Sequence, residues 1–167
     1  GSVQQFALAA DAPTLIAATP AGQHHELGAF MAAVAATHLG WRAVYLGASL
    51  PAAEIAAAVL QSEARVLVLS IIYPSDDRKL INELRAIRRH LPEVNLIVGG
   101  RATHSYRAAL KSVNARIIID LAQLGDELDQ IRARFLVGNK NAFRDKRRDK
   151  VRLRNDHRSQ LRGQISA

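Results

Sequence analysis

The stretch Thr19-Pro20-Ala21-Gly22-Gln23-His24-His25-Glu26-Leu27-Gly28 decides how the rest of this chain is interpreted. It lies where a short apolar run, residues 13–18, gives way to a helical pattern of apolar residues. Folding alone does not require two adjacent histidines and an acidic residue at such a turn. We therefore interpret the stretch as the first strand-to-helix junction of the fold and as a candidate functional loop.

The same unit, an apolar strand followed by an amphipathic helix, recurs five times along the chain. The predicted strands cover residues 13–18, 42–46, 65–72, 94–98 and 115–119. The predicted helices cover residues 25–39, 51–62, 77–91, 102–111 and 121–135. Alternating strands and helices imply a parallel sheet with right-handed crossovers. Five units predict a flavodoxin-like (Rossmann-type) α/β fold, a five-stranded parallel sheet in the order 2-1-3-4-5 with helices on both faces.

The spacing of apolar residues also predicts which helix faces are buried. In the first helix, Leu27, Met31 and Val34 recur at helical spacing and are expected to face the core. Trp41, which follows that helix, is expected to lie in the core. The basic face of the third helix, which includes Arg88, is expected to be solvated.

Composition excludes several classes of protein. The chain has 167 residues and no cysteine, so disulfides, thiolate metal sites and cysteine nucleophiles are excluded. No apolar run is long enough to cross a bilayer, so we expect a cytoplasmic protein without a membrane partner. Gly1-Ser2 is typical of residues left by cloning, and residues 1–12 are interpreted as that scar and a lead-in. The body of the protein is expected to be residues 13–138.

The net charge of +8 is concentrated in the tail, residues 139–167. This tail carries ten Lys or Arg against three Asp, which is +7 of the total. Its low content of large apolar residues favours disorder. A weak, salt-sensitive and sequence-independent contact with nucleic acid is the functional alternative, and a helical arm that packs on a partner is a third.

Small or polar residues end three of the predicted strands. Ser70 comes near the end of an apolar run, Gly99-Gly100 follows another, and the His24-His25 loop follows the first. Each has a plain structural explanation by itself: a buried hydroxyl, a turn, and a solvated histidine pair. The carboxyl ends of parallel strands share one edge, where ligands bind in open α/β sheets. The sequence therefore predicts a ligand site at that edge.

The fingerprints of several common activities are missing. No G-x-G-x-x-G or Walker-type loop follows the first strand, so nucleotide binding loses support. A phosphoacceptor receiver would have an aspartate where Ser70 stands, and no G-x-S-x-G elbow is present. No convincing acid/base pair is found. We therefore expect a binding protein and not an enzyme.

The chain from Thr14 to Phe135 resembles the cobalamin-binding domain, whose signature is D-x-H-x-x-G, then S-x-L, then G-G. The matching residues are Gln23-His24-His25-Glu26-Leu27-Gly28, Ser70-Ile71-Ile72 and Gly99-Gly100. With Gly40-Trp41-Arg42 and Tyr45-Leu46-Gly47, the chain looks most like the C-terminal sensory domains of MerR-type cobalamin-dependent transcriptional regulators. Some regulators of that kind respond to light.

The resemblance implies a role for the histidine loop. His25 matches the histidine that replaces the cofactor's own dimethylbenzimidazole on the lower face of cobalt, so the cofactor would be bound base-off. The second ring nitrogen of His25 needs an acceptor, which in the family is an acid two residues earlier. In this chain that residue is Gln23, whose amide oxygen can accept the bond but carries no charge. His24 is the rival ligand, although its spacing to Gly28 departs from the motif.

The resemblance also assigns the other motif residues. Ser70 and Ile72 would line the channel for the displaced nucleotide tail of the cofactor. Gly99 and Gly100 would leave space for that tail beside the fourth strand. Gly28 would let the start of the first helix approach the corrin.

The function that the resemblance implies is a sensor module that binds cobalamin, as adenosylcobalamin or with another upper ligand. DNA would be contacted through a domain absent from this chain, or weakly through the basic tail. Such regulators usually cover the upper face of cobalt with a helical bundle, so we expect an excised domain or a cap from another subunit, such as a homo-oligomer. Two alternatives stay open: a corrinoid carrier domain of a methyltransferase or isomerase, and a haem-binding sensor of the same fold.

Overall fold

The computed structural model describes residues 11–73 and 77–138. The strands are β1 (Thr14–Ala18), β2 (Arg42–Tyr45), β3 (Val66–Ser70), β4 (Asn95–Gly99) and β5 (Arg116–Ile117). The helices are α1 (Leu27–His38), α2 (Ala52–Gln61), α3 (Arg78–His90) and α4 (Arg107–Ser112), with a 3-10 turn at Arg101–His104. The chain divides into two compact units, residues 1–128 and 129–167. Residues 121–128 of the first unit are helical, as are residues 129–138 of the second. The expectations for residues 1–10 and for the basic tail, 139–167, lie outside the described residues.

All five strands are parallel and their order is β2-β1-β3-β4-β5. This confirms the flavodoxin-like prediction, including the strand order. In the centre of the sheet Ile16 lies opposite Leu67, and at its carboxyl edge Ser70 lies opposite Gly99. The ends of β1, β3 and β4 are therefore neighbours.

The first helix packs on the sheet through alanines and not through its larger residues. The buried positions of α1 are Ala29, Ala32, Ala33 and Ala36. Leu27 is 70% exposed and Met31 40% exposed, so the prediction that they face the core is wrong. Alanine side chains let a helix approach a sheet closely, and that approach turns the larger side chains outward. The prediction for Trp41 is confirmed, since its side chain is fully buried.

The third helix combines a confirmed apolar face with an unexpected polar contact. Leu80, Leu84 and Ile87 are buried, as their spacing predicts. Arg88 is half-buried and not simply solvated. Its guanidinium donates to the carbonyl oxygens of Leu91, Pro92, Val94, Val113 and Asn114, at 2.7 to 3.3 Å. Burial lowers the pKa of Arg88 below its usual value, and this side chain ties the end of α3 to the turn after α4.

Candidate ligand-binding site

The loop after β1 is held by a hydrogen-bond network that also involves the segment after β2. The buried Thr19 hydroxyl donates to the carbonyl oxygen of Gln23 and accepts from the backbone N–H of Ser49 at 2.8 Å. The Ser49 hydroxyl in turn accepts from the backbone N–H of Gly22 at 3.0 Å. Gly22 has a φ of +85°, a conformation that favours glycine. Ser49 could not be identified from the sequence, since its role depends on contact between distant segments.

Gln23 is buried, with 2% of its surface exposed. Its amide oxygen accepts two backbone N–H groups at the exit of β3, that of Ile72 at 2.7 Å and that of Tyr73 at 3.0 Å. Its amide nitrogen is buried and has no hydrogen-bond partner among the described residues. The oxygen that the sequence offers to His25 is thus used by the backbone in this structure.

His25 and His24 are both exposed, and His25 lies beside an aromatic ring. The ring centroids of His25 and Tyr73 are 5.6 Å apart, with the planes tilted by 47°. The guanidinium carbon of Arg101 lies 5.9 Å from the centroid of the same tyrosine ring. Within the described part of the chain, no hydrogen bond involves the imidazole of His25. The imidazole nitrogens are therefore available at the rim of the site.

Glu26, between His25 and the start of α1, is engaged elsewhere. Its carboxylate accepts from the Tyr45 hydroxyl at 2.7 Å. Burial, together with this bond and the negative charge, raises the pKa of Tyr45 to about 12. The ring of Phe30 packs edge-on against Tyr45, with centroids 5.7 Å apart.

Gly28 marks the closest approach of α1 to the end of β3. A Cβ atom at position 28 would lie 2.6 Å from the Ser70 hydroxyl oxygen, so any side chain there requires Ser70 or α1 to shift. Ser70 is only 4% exposed, and its hydroxyl has no hydrogen-bond partner among the described residues. Buried hydroxyl groups without a partner are uncommon, so this one is available to a ligand.

Gly100 marks a second close approach, between the turn after β4 and the exit of β3. It has a φ of +106°, and a Cβ there would lie 2.3 Å from the carbonyl oxygen of Ile71. A Cβ at Gly99 would meet Ile118 at 3.2 Å. Both glycines thus keep the carboxyl edge of the sheet free of side chains.

A cavity of about 200 Å³ opens between α1 and the carboxyl ends of β3 and β4. Five of the predicted site residues line it: Gly28, Ser70, Ile72, Gly99 and Gly100. The other lining residues are Met31, Ala32, Val68, Leu69, Ile118, Ile119, Asp120 and Leu121. The wall is mostly apolar, and the Ser70 hydroxyl is its buried polar group. Gln23 and His25 are not among the lining residues.

The sequence did not identify the part of the wall formed by residues 118–121. These residues follow β5, the two-residue strand at the edge of the sheet, and their types carry no signal of binding. Tyr73, the neighbour of His25, was likewise not singled out. A tyrosine just beyond the exit of β3 is the one signal that could have indicated it.

Among the residues that the structure describes, no three His, Cys, Asp or Glu side chains are placed to hold a metal ion together. No described helix is long and apolar enough to cross a membrane.

Comparison with known proteins gives a family and two named relatives. Residues 13–129 match the family model described as B12 binding domain. The chain is 28% identical over 120 residues to the HTH-type transcriptional repressor CarA of Myxococcus xanthus, and 28% identical over 131 residues to CarH of the same organism. The matches cover 72% and 71% of this chain but only 42% of each relative. The chain thus spans less than half the length of these relatives.

Solved structures share the fold at low sequence identity. A cobalamin-binding protein from Desulfitobacterium hafniense superposes with a TM-score of 0.63 at 17% identity, covering 72% of this chain and 60% of that one. The methanol:cobalamin methyltransferase complex MtaBC from Methanosarcina barkeri gives a TM-score of 0.62 at 19% identity, with coverage of 72% and 46%. The REC domain of RcsB from Salmonella enterica gives 0.54 at 17% identity, with coverage of 74% and 90%. At these identities the likeness concerns the fold alone.

Proposed function

This chain belongs to the B12-binding domain family and its cofactor is cobalamin, and from that premise we propose that it binds cobalamin base-off with His25 as the lower cobalt ligand. We propose further that it acts as the sensor module of a transcriptional regulator and not as an enzyme. The nucleotide tail of the cofactor would then occupy the cavity between α1 and the ends of β3 and β4. The observation that carries the proposal is the unpartnered Ser70 hydroxyl in that cavity.

The residues around the cavity fit such a group. The apolar wall suits a flat aromatic base, and Ser70 offers the base or its sugar one buried hydrogen-bonding group. Close contacts favour glycine at position 28 and require it at position 100, and neither residue places a side chain at the entrance. The fit therefore rests on shape and on the unsatisfied hydroxyl.

His25 suits the role of ligand by chemistry and by access. A neutral imidazole is a common metal ligand, and this one is exposed and free of hydrogen bonds to the described residues. The macrocycle supplies the remaining equatorial ligands of cobalt, so one protein side chain is enough. His25 is preferred to the neighbouring His24 because its spacing to Gly28 matches the D-x-H-x-x-G pattern.

The regulatory role is supported by the two repressors that the chain resembles. We propose that DNA contact belongs to a domain outside this chain, with at most a weak contribution from the basic tail, and that the protein is cytoplasmic. We extend the proposal to light sensing through an adenosyl upper ligand and to a homo-oligomer that covers the upper face. A corrinoid carrier domain or a haem sensor would share the fold, but no observation on the site favours either.

Reconstitution tests the binding mode. The protein is mixed in the dark with adenosylcobalamin, passed through gel filtration and examined by absorption spectroscopy. We expect a retained corrin with a spectrum that differs from free base-on cobalamin. Loss of all corrin on the column, or a retained base-on spectrum, contradicts the proposal. Retention of haem in a parallel mixture of the protein with haem would identify the haem alternative.

Two matched variants test the ligand. The bound cofactor is reduced to cob(II)alamin and examined by electron paramagnetic resonance. Labelling the histidines of the protein with ¹⁵N should change the nitrogen splitting of each cobalt line from three components to two. His25→Ala should remove this splitting while His24→Ala keeps it, and circular dichroism checks that both variants are folded. The reverse pattern would assign the ligand to His24. An absorption spectrum that light leaves unchanged would contradict the light-sensing part.

A further inference from the structure

Gln23 offers a hydrogen-bonding pattern opposite to the one that a ligating histidine requires. Its amide oxygen has two lone pairs, and the backbone N–H groups of Ile72 and Tyr73 occupy both. The only group left is the buried amide nitrogen, which is a donor without a partner among the described residues. Gln23 therefore has nothing with which to accept a further proton.

A histidine that binds a metal through one ring nitrogen carries its proton on the other, and that N–H needs an acceptor. If His25 takes the role proposed above, the Gln23 side chain has no acceptor left for its free N–H. Among the described neighbours of His25, Tyr73 contacts it through its ring, and Arg101 brings a positive charge to that tyrosine ring. One oxygen of the Glu26 carboxylate is bonded to Tyr45.

We propose that Gln23 is a positioning residue that keeps His25 a weak and readily exchanged ligand of cobalt. This inference rests on the proposed ligation by His25. Gln23 uses its oxygen to bind the backbone at the exit of β3 and gives the imidazole no side-chain acceptor at position 23. An imidazole without that support is a poorer electron donor to a metal. The loaded protein then contains both a His25-bound and a His25-free population.

Glutamate at position 23 is the matched test, because it has the shape of glutamine and exchanges the amide nitrogen for a second oxygen. One carboxylate oxygen can accept from Ile72 and Tyr73, while the other accepts from His25. Losing or gaining such an outer partner typically changes metal binding by about 10- to 100-fold. We therefore expect Gln23→Glu to raise the ratio of His25-bound to His25-free cofactor by about that factor.

The ratio is measured from the nitrogen splitting in the paramagnetic resonance spectrum of cob(II)alamin-loaded protein. Both populations should be visible in the wild-type protein, and the His25-bound form should dominate in Gln23→Glu. A wild-type protein that is entirely His25-bound would overturn the inference. So would a ratio that Gln23→Glu leaves within threefold of the wild-type value.

A second measurement needs no cofactor. In the apo protein, the amide protons of Ile72 and Tyr73 should exchange slowly with solvent in the wild type and in Gln23→Glu, and quickly in Gln23→Leu. Fast exchange in the wild type, or unchanged exchange in Gln23→Leu, would overturn the assignment of the Gln23 oxygen to these two groups.

The double variant separates this inference from the proposed function. If the glutamate acts through the imidazole, its effect must disappear in a His25→Ala background. If His25→Ala itself leaves the spectrum of the loaded protein unchanged, ligation by His25 fails. If His25→Ala removes the histidine signal but Gln23→Glu has no effect, only the role of Gln23 fails.

Discussion

Replacing Gly28 by alanine tests the close approach of α1 to β3 directly. The added Cβ would lie 2.6 Å from the Ser70 hydroxyl oxygen and 3.4 Å from the Ser70 Cβ. The first distance is well below van der Waals contact, whereas the second is acceptable. The hydroxyl oxygen alone therefore accounts for the clash, and Ser70→Ala should remove it.

The expected magnitude is a balance of two terms. Overpacking a tightly packed site costs about 1–3 kcal/mol. Alanine in place of glycine in a helix gains up to about 1 kcal/mol, and less in a first turn such as that of Gly28. Gly28→Ala should therefore lower the free energy of unfolding by about 0–3 kcal/mol. In a Ser70→Ala background, the same substitution should be neutral or stabilising by up to about 1 kcal/mol.

Urea unfolding of the apo protein measures these values for the two single variants and the double variant. Gly125→Ala is the matched control, since Gly125 is also helical and its Cβ would meet Leu39 at an ordinary 3.6 Å. That substitution should stabilise the protein by about 0.5–1 kcal/mol. Ser70→Ala alone should be close to neutral, because the hydroxyl has no partner to lose.

The coupling free energy between positions 28 and 70 tests whether the Ser70 hydroxyl causes the clash. Independent sites add within about 0.3–0.5 kcal/mol, whereas this pair should show a coupling of about 1–3 kcal/mol. A coupling within the additive range would refute the reasoning. It would show that the Ser70 side chain turns away at little cost, and that the hydroxyl does not require glycine at position 28.

Arg88→Ala should lower the free energy of unfolding by about 2–4 kcal/mol in urea, because it leaves partly buried carbonyl groups just after α3 and α4 without their charged donor. The exposed Arg85→Ala on the same helix should change it by less than about 0.5 kcal/mol, and equal effects would contradict the role of Arg88. The pKa of Tyr45 should be about 12 when the ultraviolet titration of Tyr45→Phe is subtracted from that of the wild type. Glu26→Gln should lower this pKa only part of the way towards 10.0, since burial remains. Because the folded state favours the protonated phenol of Tyr45, the raised pKa stabilises the fold. This contribution is complete below the pKa of the unfolded chain and is lost as the pH rises through the pKa of the folded protein. A wild-type pKa near 10.0 would contradict the environment described for Tyr45.

The sheet could be predicted from the sequence because its central strands are short, continuous apolar runs. β3 is buried at every position, and alternation with helices fixes the parallel order. The inward face of α1 could not be predicted by searching for large apolar residues. Its buried positions are alanines, and which face of an alanine-rich helix packs on a sheet depends on how closely the two approach.

The candidate site was only partly visible in the sequence. Gly28, Ser70, Ile72, Gly99 and Gly100 lie together at one cavity, as the convergence of strand ends predicts. The partners of Gln23 could not be predicted, because they are backbone groups about fifty positions further along the chain. Such tertiary contacts decide whether the oxygen or the nitrogen of a side-chain amide is left for a ligand. The roles of the motif residues towards the cofactor stay predictions.

The walls of the cavity come from parts of the chain that are made at different times during synthesis. Gly28 leaves the ribosome early, Ser70 later and Gly100 later still, while residues 118–121 complete the wall. The site therefore does not exist until most of the first compact unit has been translated and its strands have paired. If cobalamin binds at the proposed site, its retention requires completed assembly, and truncated chains should fail to retain it.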